Sequence, residues 1–331
     1  MKRTLFAALT GVVVLAGCAK TEVTEVSDNR AISFSNFVTN SVKSIDNTGD
    51  LNKFYVYGGF NDNYNLFEDV EVTKADGAWT YNPTRYWTVN TYNFAAYSNS
   101  NSKAGVTATW NAVSNKHLSL DFNIQDAETD DLLYAAQSAS WNGVDAAPIV
   151  DFTFKHILSK VAFQFSKAAD LNGVNLDIID IKVLAKTSGT FVGEDITEGQ
   201  YPFTTWETSG DASEVAYDDD VTLNANDAVV TVSRVMIPQD ITGYNVTFSV
   251  LFNEPDASGS VNSDGTPKTL NFEVDIDKTD GKNWKPGYSY VYKAVIDAEN
   301  LELKPIVFTV DVVSGWEPGS NVDLDIPTGT I

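Results

Sequence analysis

Apolar and polar residues alternate with a period of two along most of the chain, the pattern of β-strands with one buried face. The clearest examples are residues 118–124, 161–165, 246–252 and 272–276. Turn residues, chiefly Asn, Asp, Gly and Ser, separate these segments, and Asp76-Gly77 predicts a hairpin. Residues 154–161 come nearest to a helical period, but their β-branched and aromatic side chains favour a strand. Short strands at regular spacing predict an all-β fold of sandwich type.

The alternating pattern first becomes clear just after Arg30, where Ile32 and Phe34 alternate with serines. Farther on, residues 138–148 turn small and polar, so we place the boundary between two domains there. The predicted N-terminal β-sandwich covers residues 31–147, and the predicted C-terminal β-sandwich covers residues 148–331. In the second half, we expect residues 161–166 and 176–184 to form a hairpin across Asn172-Gly173.

The first 17 residues have the composition of a secretory signal peptide. Lys2 and Arg3 precede a short apolar run, and small residues lead to Cys18, the single cysteine of the chain. The apolar run is too short for a stable transmembrane helix. Its end resembles a bacterial lipobox, which implies that Cys18 carries acyl chains such as palmitate and becomes the mature N-terminus. The alternative is an ordinary signal peptide with an incidental cysteine.

Lipidation at Cys18 would tether the mature protein to a membrane by its N-terminus. Two or more acyl chains anchor a protein stably where one is marginal. Residues 18–30, which are mostly polar, would then form a lipidated tether or propeptide. Arg30 stands between this tether and the first strand, and an exposed basic residue there is open to a protease. The alternative is that Arg30 is an ordinary linker residue.

The chain is strongly acidic, with a formal net charge of −23. Loss of Lys2 and Arg3 with the signal peptide would take this charge from −23 to −25. Nucleic-acid binding requires a basic stripe, and none is present, so we expect no nucleic-acid partner. A high negative charge instead helps to keep an exported protein soluble.

The sequence contains no constellation of residues typical of an enzyme. His117 and His156 are the two histidines, and no G-x-S-x-G motif accompanies them, so we expect both to have structural roles. The loop that begins at Asp275 lacks the glycine and glutamate of a calcium-binding EF-hand. The acidic run 218–220 is expected to be a solvated loop. Carboxylates are abundant, but no pair stands out as that of a glycosidase. We therefore predict no catalytic residues, no metal and no cofactor.

Tryptophan side chains offer a second possible function, because exposed rings can stack on sugars. The candidates are Trp79, Trp87, Trp110, Trp141 and Trp206. In a sandwich of this size we expect most of them in the core, with Trp206 in its polar loop as the exception. A surface-anchored glycan-binding lipoprotein is therefore the alternative function.

Several short motifs occur in an order that resembles the fimbrillin family, the lipoprotein pilins of bacterial type V pili. The motifs cover residues 86–87, 92–97, 131–135, 154–161, 236–239, 286–290 and 313–316. No single motif is specific, but their order together with the lipobox is.

The resemblance implies two transthyretin-like Greek-key β-sandwich domains. It also implies export as a lipoprotein and removal of an N-terminal segment by an arginine- or lysine-specific protease. Arg30 matches the cleavage residue best, with Lys43 second. Removal would open a groove that a strand of another subunit fills.

The donor strand would be the C-terminal segment 320–331, in which Val322, Leu324 and Ile326 alternate with polar residues. The alternative is that this segment is the last strand of its own domain. On this interpretation the protein is a structural or adhesive subunit of a surface fimbria. Its partners would be other pilin subunits, the outer membrane through Cys18, and an arginine-specific protease. Whether it is a shaft, tip or anchor subunit stays open.

Overall fold

Almost all regular structure in the described residues is β-strand. The computed structural model describes residues 30–38, 51–60, 65–111, 117–125, 131–171, 174–193, 206–217, 220–223, 229–252, 268–277, 282–302 and 304–314. Within these ranges there is no α-helix, and the two 3-10 helices are Ala169–Leu171 and Ala298–Glu302. The prediction of an all-β fold of sandwich type is confirmed. The Greek-key and transthyretin-like details stay predictions.

Twenty strands make up the described fold. They are β1 Ser33–Val38, β2 Lys53–Gly59, β3 Asn65–Ala75, β4 Ala78–Thr80, β5 Asn90–Asn99, β6 Val106–Asn111, β7 His117–Asn123, β8 Leu132–Trp141, β9 Ile149–His156, β10 Ser159–Lys167, β11 Leu176–Ala185, β12 Ser188–Val192, β13 Trp206–Ser209, β14 Ser213–Ala216, β15 Val221–Leu223, β16 Val229–Met236, β17 Asn245–Phe252, β18 Lys268–Asp275, β19 Tyr288–Ile296 and β20 Thr309–Ser314.

The first sheet has seven strands in the order β1-β9-β8-β5-β2-β3-β4. Its central strands are buried on both faces. In β2, for example, Phe54 and Val56 enter one hydrophobic core, while Tyr55 and Tyr57 enter another. Because successive side chains of a strand point to opposite faces, this sheet separates two cores.

The first sheet is curled, so that its two edge strands meet. The indole Nε1 of Trp79 in β4 donates to Asn36 Oδ1 in β1 over 3.1 Å. The concave face is filled by an aromatic-rich core. Asp76-Gly77 forms the predicted hairpin turn between β3 and β4, with φ values of 51° and 81°. Both angles lie in the left-handed region that hairpin turns of this length require.

A second sheet, in the order β13-β12-β7-β6, covers the convex face of the first. It joins strands from both halves of the sequence, because β7 pairs with β12. The first sheet also extends beyond residue 148, since β9 pairs with β8 and β1. The division into domains at residues 147 and 148 stays a prediction, and residues 149–156 pair with the first half.

The remaining described strands form a sandwich of two sheets. One has the order β16-β10-β19-β20, and the other has the order β14-β11-β17-β18, with β15 also pairing with β11. Their inner faces meet in one core, where the rings of Phe165 and Phe248 lie 5.0 Å apart between centroids. The expected hairpin across Asn172-Gly173 is wrong: β10 pairs with β16 and β19, while β11 lies in the opposite sheet. Residues 154–161 are extended and not helical, as expected, but they do not form one strand: β9 ends at His156 and β10 begins at Ser159 in another sheet.

Among the residues that the structure describes, no helix is long and apolar enough to cross a membrane.

Candidate functional site

The candidate site is the groove of the first sheet that β1 occupies. The alternating sequence at the start of β1 explains why the strand lies in this groove. Ile32 and Phe34 are buried in the concave core, whereas Ser33 is exposed. The strand lies parallel to β9, with Ser33 opposite Ile149 and Val38 opposite Phe154. Parallel strands cannot be joined by a tight turn, and these two are separated by more than a hundred residues. The N-terminal strand therefore completes a sheet whose other strands come from residues 53–156.

Phe34 is the main apolar contact between β1 and the groove. Its ring stacks on that of Phe152 in β9, with centroids 5.7 Å apart and planes 8° from parallel. It also meets Phe67 and Tyr81 edge to face, at 5.4 Å and 5.5 Å. Aromatic pairs in these geometries add about 0.5–1.5 kcal/mol each to the burial of apolar area. The groove is thus built around an inward-pointing aromatic side chain.

Backbone hydrogen bonds hold the residues that lead into β1. Ile32 N donates to Arg85 O over 2.8 Å, and Trp87 N donates to Arg30 O over 2.8 Å. Ala31 accordingly forms an antiparallel bridge with Tyr86. Residues 30–32 therefore pair with residues 85–87, and β1 itself pairs with β9, so the main chain is held from Arg30 to Val38.

Polar side chains fix the register of β1. The Tyr81 hydroxyl donates to Ile32 O over 2.8 Å, and Ser35 Oγ donates to Asp151 Oδ1 over 2.8 Å. Burial raises the pKa of Tyr81, so its hydroxyl stays protonated and able to donate. The Arg85 guanidinium lies 4.8 Å from the Phe67 ring centroid and donates to Leu66 O. These contacts position the aromatic wall that Phe34 touches.

Removal of β1 would leave a ready acceptor for another strand. The main chain of β9 would lose its partner on one edge, and the apolar rings around Phe34 would face solvent. An unpaired sheet edge next to an apolar groove favours β-strand addition, in which main-chain bonds supply affinity and alternate side chains fill pockets. The site can therefore hold an extended segment with apolar residues at every second position.

The structure describes one of the sequence-predicted site residues. Arg30 is exposed and comes directly before the paired start of β1. Cys18, Lys43, Val322, Leu324 and Ile326 lie outside the described residues. Sequence reasoning identified the alternation at Ile32 and Phe34 but not its partner, because nothing local to residues 31–38 indicates a strand in residues 149–156.

His156 and the tryptophans considered in the sequence are buried or half-buried. His156 is buried at the end of β9, with Nδ1 2.9 Å from the Asp131 carboxylate. The expectation for Trp206 is wrong: it is 8% exposed, and its Nε1 donates to Ile157 O over 2.7 Å. Trp87 is buried in the core as expected, and Trp79, Trp110 and Trp141 are half-buried. In the part of the chain that the structure describes, no group of three or more His, Cys, Asp or Glu could hold a metal ion.

Comparison with known proteins identifies the family. Residues 37–313 match the model of the fimbrillin-like family. The chain belongs to that family. Membership confirms the resemblance seen in the sequence, and it supports a fimbrial or adhesin-like subunit with a surface or fimbrial location. None of the curated proteins matches the chain in sequence.

Solved structures share the fold at low sequence identity. A candidate cell adhesion protein of Bacteroides ovatus is 14% identical, with a TM-score of 0.54, over 88% of this chain and 99% of that one. A fimbrial protein of Bacteroides vulgatus is 14% identical, with a TM-score of 0.52, over 87% of this chain and 100% of that one. At these identities the likeness concerns the fold alone.

Proposed function

We propose that the protein is a subunit of a surface fimbria that polymerises by strand exchange. It is exported as a lipoprotein through Cys18, and an N-terminal segment that includes β1 is then removed. The C-terminal segment of another subunit fills the vacated groove. The observation that carries the proposal is the packing of β1, a separate N-terminal strand with its apolar side chains inside the first sheet. Membership of the fimbrillin-like family supports the same function.

The position of β1 bears on which basic residue is cleaved. A cut after Arg30 would release the lipidated tether but leave β1 joined to the fold. Cleavage there also requires residues 31–34 to leave their paired positions, because a protease binds its substrate in an extended, accessible form. Lys43 is the only lysine or arginine between Arg30 and Lys53. Within this proposal, the cut that frees β1 therefore falls at Lys43, and a cut at Arg30 would give a released subunit with a closed groove.

The donor strand in this proposal is segment 320–331. Val322, Leu324 and Ile326 have the same alternation as Ile32 and Phe34, so they can take the inward positions of β1. Seventeen residues follow Ser314, the last residue of β20, and they are enough to reach a second molecule.

Polymerisation of the purified mature chain tests the proposal. The protein is treated with a lysine-specific protease and followed by electron microscopy and gel filtration. We expect filaments from the wild type, and folded monomers from Leu324→Asp, because a charge in the apolar groove is costly. The matched control Asp323→Asn changes an outward residue and is expected to polymerise normally. Normal filaments from Leu324→Asp would overturn the proposal.

A pair of N-terminal variants tests the cleavage site separately. Lys43→Gln is expected to block both removal of β1 and polymerisation. Arg30→Gln is expected to leave both unchanged. The reverse pattern would assign the activating cut to Arg30.

A further inference from the structure

We propose that the donor strand enters the groove parallel to β9, in the direction that β1 has now, and that the donating copy of this chain docks on an apolar surface at the Arg30 end. This inference rests on the proposed strand exchange. It adds the direction of the strand and the surface on which the second copy sits. We call that surface the entry surface, and it consists of Tyr86, Val89, Trp141, Val144 and Ile149.

The entry surface exposes an unusual amount of apolar area. Tyr86 is 46% exposed, Val89 64%, Val144 87% and Ile149 59%. Among the described residues, the other exposed large hydrophobic side chains are three valines in the second half of the chain. Beside the four lies a depression of about 510 Å³ whose lining includes Val89, Trp141 and Pro148. Grouped apolar side chains next to a depression are typical of protein-binding surfaces.

Direct contacts hold the two segments of the entry surface together. Trp87 Nε1 donates to Pro148 O over 3.2 Å, so residues 86–89 lie against residues 144–149. Gly143 packs so closely on Val89 that a Cβ atom there would lie 2.7 Å from Val89 Cγ2. Trp141 Nε1 donates to Asp145 O over 2.9 Å and fixes the intervening loop. The surface is therefore a built part of the fold.

The entry surface borders one end of the groove. Tyr86 bridges Ala31, and Ile149 stands opposite Ser33, so both flank the start of β1. The other end, at Val38, lies close to the turn at Asp76, because Trp79 of β4 already contacts Asn36. None of the exposed large hydrophobic side chains in the described ranges lies at that end, where Lys53 and Glu71 form an exposed ion pair.

The connection between β20 and the donor strand is short, so the direction of the strand determines where the folded part of the donating copy lies. Val322 is eight residues beyond Ser314, and eight residues span at most about 29 Å. The body of the donating copy must therefore sit at the end of the groove that receives Val322. An antiparallel donor would place Val322 at the charged Val38 end, whereas a parallel donor places it beside the entry surface.

The net charge of the chain favours the same end. Residues 1–43 carry five lysines and arginines and three acidic residues, so their removal takes the formal charge from −23 to −25. Two such copies repel each other, and a stable contact between them needs a patch with few charges. The entry surface is such a patch, because none of its five residues is charged, and Asp145, which lines the depression, accepts a hydrogen bond from Asn142. A second copy of this chain is thus the occupant that fits both the surface and the groove.

Two double-cysteine variants test the direction. Thr153 is an exposed residue of β9 near the Val38 end of the groove. In a parallel donor, Val322 and Leu324 take the places of Ile32 and Phe34. Pro327 then takes the place of Phe37, which lies opposite Thr153. Asn321 lies six residues from that position, or about 20 Å at roughly 3.3 Å per residue. Neighbouring strands allow a disulfide only between residues that face each other. The mature chain beyond Lys43 contains no other cysteine.

We expect oxidised filaments of Thr153→Cys/Pro327→Cys to give a ladder of linked subunits on a non-reducing gel. Filaments of Thr153→Cys/Asn321→Cys should give none. The opposite pattern, or filaments without a ladder from the first variant, overturns the parallel direction. Absence of filaments from both variants and from the cleaved wild type contradicts strand exchange itself, so the two failures are distinguishable.

A charge on the entry surface tests docking. We expect Val144→Lys to slow polymerisation about tenfold, which corresponds to a loss of about 1.4 kcal/mol at the contact. The matched control is Val307→Lys, because Val307 is 75% exposed and lies in the second half of the chain. It should polymerise like the wild type, and both variants should unfold at the wild-type urea concentration. Equal polymerisation rates for Val144→Lys and the wild type would overturn the proposed docking surface.

Discussion

Phe34 of β1 and Phe152 of β9 stack face to face, with ring centroids 5.7 Å apart. The two residues are far apart in sequence, and their contact joins the N-terminal strand to the sheet that it completes. The packing of the Phe34 ring should therefore contribute strongly to holding β1 in the sheet before any exchange.

Replacement of Phe34 by alanine should weaken the N-terminal sheet. Truncating a buried phenylalanine removes its transfer free energy and leaves a cavity, so we expect the free energy of unfolding to fall by about 3–5 kcal/mol. Ser33→Ala alters an exposed neighbour on the same strand and should change it by less than about 0.5 kcal/mol. Urea unfolding of the uncleaved chain measures both. Equal stability of the two variants would contradict the described packing of β1.

The Asp131–His156 pair should contribute to stability, because both side chains are buried. The Asp131 carboxylate lies 2.9 Å from His156 Nδ1. Asp131→Ala deprives a buried ring nitrogen of this contact, which should cost about 1–3 kcal/mol in unfolding free energy. Glu214→Ala removes an exposed ion pair with Lys182 and should cost less than about 1 kcal/mol. A smaller loss from Asp131→Ala than from Glu214→Ala would be contrary to this view.

Alanine substitutions at Gly58 and Gly77 distinguish the cost of close packing from the cost of backbone strain. Both have positive φ values, of 149° and 81°. A Cβ atom on Gly58 would lie 2.4 Å from Asn93 O, whereas one on Gly77 would meet nothing within 4 Å. We expect Gly77→Ala to destabilise by about 1 kcal/mol and Gly58→Ala by clearly more, because β2 and β5 would have to separate. Thermal unfolding would show this order, and the reverse order would argue against the described pairing of β2 with β5.

Buried tyrosines should make the fold sensitive to alkali. Burial raises the pKa of Tyr292 to about 12 and that of Tyr217 well above its usual value. The folded state then keeps these protons at a pH where the unfolded state, with tyrosine pKa values near 10, loses them. The contribution of these tyrosines to the free energy of unfolding should be constant below about pH 9. It should fall as the pH rises through 10 to 12.

Urea unfolding at pH 8 and pH 11 measures that fall, with tyrosinate absorbance as a second readout. Tyr217→Phe removes one buried titrating group and should show a smaller decrease between the two pH values. An equal decrease in this variant would mean that Tyr217 does not hold its proton in the folded protein.

Much of the strand content was predictable from sequence, because alternation is a local property. The turn at Asp76-Gly77 and the strands around residues 118–124 and 246–252 follow from spacing and turn chemistry alone. The order of motifs also indicated the family, which the comparison confirms.

Pairing between distant strands was not predictable, since a single sequence carries no record of contact. The parallel pairing of β1 with β9 and the pairing of β7 with β12 are of this kind. The expected hairpin across Asn172-Gly173 failed for the same reason: a turn signal does not determine which sheet the next strand joins. Trp206 was misassigned because its polar sequence neighbours concealed a buried position against Ile157.

The N-terminus of subunits taken from surface filaments tests the central claim most directly. Mass spectrometry of purified filaments gives the first residue of each assembled chain. Our account predicts a chain that begins at Ser44, without the lipid on Cys18 and without β1. Assembled subunits that keep residues 31–38, as after a cut at Arg30, or that keep a lipidated Cys18, would contradict exchange of this strand.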